Sequence, residues 1–300
     1  MKPQHYLLAT LVVVLWGLNT VISKVGVSEI SPFFMITMRF ICVAAILVPF
    51  FPLPRGMFWP MLRIALVFGI GHFGLLFFGM KGIDASATAI ALQLGPPFSA
   101  LIAWIFLKDK LDRVRWAGMI LAFTGVIFLA GEPERIEVWS FLSVCLCALA
   151  WAVGNMQVQR VDKLHPLCIT AWMTLLASPF LIVITLVFES NHLQQIENFS
   201  WTAAGALVYV VFGASIISHS SWYFLLKTYP LNLVVPFSLL GPIIGVIGGV
   251  ILLNEPFSLQ KGFGSVLTIS GVAIMQLYGQ RRSKQNSANT DHQNEHAFKK

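Results

Sequence analysis

Residues 95–118 read GPPFSALIAWIFLKDKLDRVRWAG and residues 241–264 read GPIIGVIGGVILLNEPFSLQKGFG. Laid over one another, Gly95 and Pro96 fall on Gly241 and Pro242, Leu107 on Leu253, Asp109 on Glu255 and Gly118 on Gly264. The same offset carries Lys81 to Lys227 and Gly125 to Gly271. Both copies join a Gly-Pro break to an apolar run, a short polar loop and a second apolar run bearing glycine, so the chain repeats itself. Towards the two starts the offset shortens, and Trp16 and Asn19 find counterparts in Trp151 and Asn155.

The apolar runs in these copies are too long for a soluble core. Stretches 6–23, 33–51 and 231–253 each suffice to cross a hydrocarbon layer of about 30 Å at about 1.5 Å per residue. Composition agrees, with 57% of residues hydrophobic and 11% charged, against about 25% charged in an average soluble domain. The pattern predicts an all-α membrane protein with ten transmembrane helices, at 6–24, 33–52, 62–80, 85–107, 114–131, 138–158, 167–188, 202–226, 231–253 and 262–279. The first run continues through Trp16-Gly17-Leu18-Asn19 without a small-residue cleavage site, so it reads as a helix and not as a cleaved signal. Cys42, Cys145, Cys147 and Cys168 lie in or beside apolar runs without metal-ligand spacing and read as packing residues.

A net charge of +7 would suggest nucleic acid as the partner of a soluble chain. Here the basic residues follow the spans. With a cytoplasmic N-terminus, every Lys and Arg outside the spans lies in a cytoplasmic segment except Lys24, Lys81, Arg135 and Lys261, and Arg39 alone sits well inside a span. That bias predicts both termini in the cytoplasm, which requires an even number of spans. Five helices per copy is an odd number, so the second copy enters the bilayer inverted. Loop chemistry agrees: Lys108, Lys110, Arg113 and Arg115 occupy one connection, while its counterpart holds only Lys261. The expected organisation is a first five-helix repeat at 1–131, a second at 138–279 and a disordered cytoplasmic tail at 280–300.

These residues resemble the EamA-type branch of the drug/metabolite transporter superfamily, over nearly the whole chain. The resemblance rests on Leu15-Trp16-Gly17-Leu18-Asn19 followed by Lys24, on Arg39-Phe40, and on Leu107-Lys108-Asp109-Lys110-Leu111 ahead of Gly118. In the second half it rests on Leu253-Asn254-Glu255-Pro256 ahead of Gly262, Gly264 and Gly271. The opening segment is most similar to bacterial inner-membrane exporters of cysteine-pathway compounds and other amino acids. The resemblance implies two five-helix halves and a secondary transporter exporting small metabolites. A broader exporter of hydrophobic or drug-like neutral compounds is the alternative that aromatic richness suggests.

Inverted-repeat transporters bind substrate near the midplane, where corresponding helices are interrupted. Gly95-Pro96 and Gly241-Pro242 are such a pair, each proline freeing a carbonyl one turn back, and they read as hinges. Trp16, Asn19, Thr20 and Ser23 fall on one face of the first helix, and Trp151 and Asn155 repeat the idea. Across-helix bonding is the structural alternative for these amides. Arg39 costs about 2.5–3.5 kcal/mol inside a span unless paired or wet; it suits a substrate carboxylate, or it snorkels to the interface. His72 and His219 are equivalent in the repeat to within a residue and are candidates for cavity lining or proton relay. Gln93 and Tyr223 complete the expected substrate-binding set.

No Asp or Glu lies in mid-span: Glu29, Asp84, Asp109 and Glu255 sit at span ends, where they read as helix caps or interface charges. That weighs against a cationic-drug antiporter, which needs a buried carboxylate. Gly-x-Ser-x-Gly, His-Glu-x-x-His and Walker-type patterns are missing, so the reading has no enzyme, cofactor or metal. The expected partners are a small-molecule substrate and membrane lipid, not nucleic acid, with proton coupling and a homodimer left open.

Overall fold

The structure, a computed structural model, describes residues 1–106, 108, 111–130, 137–161, 163–229 and 231–298. Side chains of Tyr223, Leu226, Lys227, Leu231, Asn232, Val235 and Pro236, and all those from residue 279 on, lie outside the description. Among the described residues there are helices and no strands. In the first copy α1 is Pro3–Glu29, α2 Pro32–Leu47, α3 Phe58–Gly82, α4 Ala85–Phe106 and α5 Arg113–Ala130. In the second, α6 is Val138–Gln159, α7 Pro166–Phe188, α8 spans 201–228, α9 spans 231–252 and α10 is Leu259–Phe298. A short polar helix, His192–Glu197, precedes α8.

Among the described residues eight helices, α1 to α8, are long and apolar enough to cross a membrane, and Phe237–Leu252 in α9 is a shorter apolar stretch. Each expected segment falls on one of these helices. The first gains the most length within the spans, opening at Pro3, where no amide donor is needed, and running on to Glu29. The bounds of α10 take in the polar stretch after residue 279, for which the sequence predicts disorder. Gln, Lys, Ala and Glu there carry ordinary helix propensity, and no Pro or Gly interrupts them before Phe298.

Helix boundaries repeat between the copies. Lys108 after α4 (φ 54) and Asn254 after α9 (φ 53) both hold the left-handed conformation, so the same backbone turn ends both helices. Packing repeats as well: α1 lies against α8 and α9 as α6 lies against α3 and α4, while α2 pairs with α7 and α5 with α10. The last pair explains the glycines that define the repeat. A Cβ on Gly118 would stand 2.7 Å from Gly271 O, and one on Gly125 2.6 Å from Gly264 O. Backbones in lipid approach this closely only through residues without side chains.

The outside of the bundle is apolar, as a lipid-facing surface demands. Ile127, Val187 and Val266 are exposed, and Trp59, Trp139 and Trp201 are exposed at the starts of α3, α6 and α8. Tryptophan at helix ends is the interface belt of membrane proteins.

Four of the long helices are irregular inside, in matching pairs. A 3-10 turn, Leu92–Leu94, interrupts α4 just before Gly95, and Val235–Leu239 interrupts α9 just before Gly241. Pro96 and Pro242 cannot donate to Leu92 and Ser238, and the backbone tightens there. In α3 and α8 the irregularity is a widened π stretch, Ala65–Gly74 and Tyr209–Ile217. Side chains satisfy carbonyls in the second of these: Ser215 Oγ donates to Val210 O at 2.7 Å, Ser218 Oγ to Gly213 O at 2.6 Å, and His219 Nδ1 to Ala214 O at 2.9 Å.

Candidate functional site

Three of the irregular helices, α3, α4 and α9, meet at a cavity of about 280 Å³ between the two copies. Trp16, Asn19 and Thr20 from α1, His72 from α3, Gln93 and Pro96 from α4, Trp151 from α6, Gly241 and Pro242 from α9, and Gln276 from α10 lie on its wall. Most of the expected substrate-binding and hinge residues therefore share one space. Gly95 lies behind it: the Trp151 ring packs on its Cα, and a Cβ would stand 2.8 Å from Cε3. Gly241 faces open space, so only there does a missing side chain enlarge the cavity. Asn19 Oδ1 and Gln276 Oε1 are buried on this wall without hydrogen-bond partners. Ser23, on the same face of α1, is fully buried and its hydroxyl also has no partner.

Three expected residues fall in a second, smaller space of about 50 Å³: Arg39, Asn155 and His219, with Thr170, Thr174 and Ser215. Phe73 lies on the walls of both. Trp151 and Asn155 thus part company, because the Asn155 amide donates back to Trp151 O at 2.8 Å and turns away from the larger cavity. Trp16 does keep polar company, standing edge-on to His219 at 5.8 Å and against Trp222 at 5.0 Å. Arg39 is 3% exposed, so it does not snorkel. Its Nε and one terminal nitrogen donate to Ser215 Oγ at 3.1 and 2.9 Å, and its guanidinium lies 4.8 Å from the centre of the Phe73 ring. The side chain of Tyr223 lies outside the described residues.

Both histidines bond through Nδ1 to a backbone carbonyl, His72 to Cys147 O at 3.1 Å and His219 to Ala214 O at 2.9 Å. A carbonyl only accepts, so at His219 the bond places the proton on Nδ1 and leaves exchange to Nε2, whereas His72 Nδ1 also lies 3.1 Å from Cys147 Sγ, a thiol that can donate to it. Sequence reasoning missed Gln276, Ser238 and Phe73. Gln276 carried the same signal as Gln93, an amide in an apolar helix, but lay close to the end of its expected span. Ser238 and Phe73 carried none.

Charge-assisted bonds gather where α4 begins. Glu255, after α9, accepts from Ala85 N at 2.6 Å and Ser86 N at 3.0 Å, capping α4 of the other copy. Lys261 at the start of α10, 1% exposed, reaches Asp84 at 2.6 Å, and Lys24 donates to Met80 O at 2.6 Å and Ile83 O at 2.8 Å at the end of α3. Towards the other end, Pro96 and Gln276 also border a vestibule of about 260 Å³ lined by Ser99, Leu111, Arg115 and Met275.

A duplicated all-helical membrane fold built around a mainly apolar internal cavity with a few polar groups on its wall defines a membrane transport protein. Residues 4–131 and 138–277 each match the EamA-like transporter family, and the chain belongs to that family; it is a multi-pass protein of the inner-membrane type. It is 30% identical over 284 residues to a probable amino-acid metabolite efflux pump of Salmonella typhimurium (strain LT2), covering 91% of this chain and 95% of that one. A protein of the same description from Escherichia coli (strain K12) is 27% identical over 294 residues, covering 95% and 98%. A solved structure described only as the crystal structure of a protein superposes with a TM-score of 0.64 at 16% identity, over 94% of this chain and 99% of that one, which shows the fold.

Proposed function

We propose that the chain is a secondary exporter of small amino-acid metabolites, crossing the inner membrane ten times with both termini in the cytoplasm. Substrate moves by alternating access as the inverted halves rock on Gly95, Pro96, Gly241 and Pro242. The observation that carries this reading is the 280 Å³ cavity between the halves, with the unpartnered acceptors Asn19 Oδ1 and Gln276 Oε1 on its wall. Buried acceptors without partners are costly, and a ligand donor such as an ammonium group offsets that cost. Its volume is at the low end for ligand pockets, about 300–1,000 Å³, and suits a small metabolite. Trp16, His72, Gln93 and Trp151 shape this space, and Arg39, Asn155 and His219 border it across Phe73.

The descriptions of the Salmonella typhimurium and Escherichia coli relatives support the substrate class, and the distribution of Lys and Arg supports the orientation. In that orientation the Glu255, Lys261 and Lys24 contacts shut the outer end, and the Arg115 vestibule faces the cytoplasm.

The test is uptake of labelled cysteine, O-acetylserine and alanine into liposomes holding the full chain. Saturable uptake is expected, reduced at least tenfold in Asn19→Leu/Gln276→Leu. Folded protein that moves none of them removes the amino-acid class, and competition by hydrophobic neutral compounds favours the broader exporter. Repeating the assay under an imposed pH gradient assigns proton relay to His72 if a gradient response is lost in His72→Gln.

A further inference from the structure

Arg39 is a cation that no carboxylate offsets among the described residues: its polar partner is the Ser215 hydroxyl, and the other terminal nitrogen of the guanidinium has no partner. Ser215 gives its own proton to Val210 O, so it meets Arg39 as a neutral acceptor and leaves the charge whole. A buried, unpaired guanidinium is expensive, and the stable arrangements supply an anion. The space beside Arg39, about 50 Å³, is too small for a metabolite and large enough for one compact ion or one carboxylate group. Pro166, the first residue of the 23-residue α7, is on its wall, so the positive end of that helix dipole adds to the field of Arg39. Asn155, Thr170, Thr174 and His219, the polar groups that also border it, bring no acid.

We infer that the pocket around Arg39 is a binding site for a small monoanion, held on the unpartnered guanidinium nitrogen. Two sources have this chemistry: the carboxylate of a compound passing through the adjoining cavity, and a free halide such as chloride. The site does not depend on the substrate class proposed above, since its occupancy is read without transport.

The experiment follows thermal unfolding of the full-length protein in detergent, at constant ionic strength, in sodium acetate, sodium chloride or sodium gluconate, the last too bulky for the pocket. Acetate or chloride at about ten times its Kd is expected to raise the midpoint by about 3 °C over gluconate. Arg39→Gln is expected to lose the rise. Ser215→Asp, which sets a carboxylate against the same guanidinium and keeps the site filled, is expected to fold and to lose it as well. A larger rise with alanine than with alaninamide, lost in Arg39→Gln, assigns the site to a substrate carboxylate; an acetate or chloride rise without that difference assigns it to a free anion. The inference is overturned if acetate, chloride and gluconate act alike and alanine equals alaninamide, or if the rises persist in Arg39→Gln. Loss of transport in liposomes with the anion response intact counts against the exporter reading alone.

Discussion

Ser23 and Asn19 lie one turn apart on α1, and each buries an oxygen that no described residue satisfies. Their surroundings separate them: Asn19 is on the cavity wall, whereas Ser23 is 0% exposed and outside it. Ser23→Ala removes an unmet hydroxyl and is expected to stabilise the protein by about 1 kcal/mol in chemical unfolding, with transport unchanged. Asn19→Leu is expected to leave the unfolding midpoint within a degree or two and to raise the KM for transport severalfold. A matching loss of stability at Asn19 would mean that the amide holds helices together and not a ligand. The sequence shows that these residues share a face, and that Arg39 needs an explanation. It does not show which residue answers Arg39, because Ser215 lies far along the chain and the choice is made by the packing of α2 against α8.

At the scale of helices, the crossing of α5 and α10 has the least room for change. Gly118 and Gly125 each meet opposing backbone as well as a side chain, Met275 and Thr268 respectively, and the backbone cannot move aside. Gly118→Val is expected to cost about 3 kcal/mol or more and to show as loss of folded, detergent-stable protein. Gly241→Ala, whose new methyl enters open space, is expected to fold normally and to reduce transport by narrowing the cavity. Folded, wild-type-like Gly118→Val would refute the close crossing. The helices and both Gly-Pro interruptions are legible because run length and proline are local signals. The π stretches of α3 and α8 are not. In α8 the widened stretch carries bonds reaching back five residues from Ser215, Ser218 and His219, and in neither helix does run length announce it.

Across the whole molecule, the copies are also joined where α4 begins, as Glu255 of the second caps α4 of the first and Lys261 meets Asp84. Breaking a buried pair of this kind costs about 3–5 kcal/mol. Lys261→Met is therefore expected to loosen that end. With the native cysteines replaced and a cysteine placed at Leu92 on the cavity wall, the thiol should react faster with an impermeant reagent added from outside; unchanged labelling would show that the pair does not hold the cavity shut. Duplication was readable from matched glycines. The contacts between halves were not, because residues at opposite ends of the chain meet there.

The cap on α4 also bears on assembly. Ala85 N and Ser86 N find their acceptor only in the other half of the chain, so a five-helix chain alone would leave that helix end bare. Each half therefore depends on the other to complete its structure, and residues 1–136 and 137–300, expressed as separate chains in one cell, are expected to find each other and reassemble.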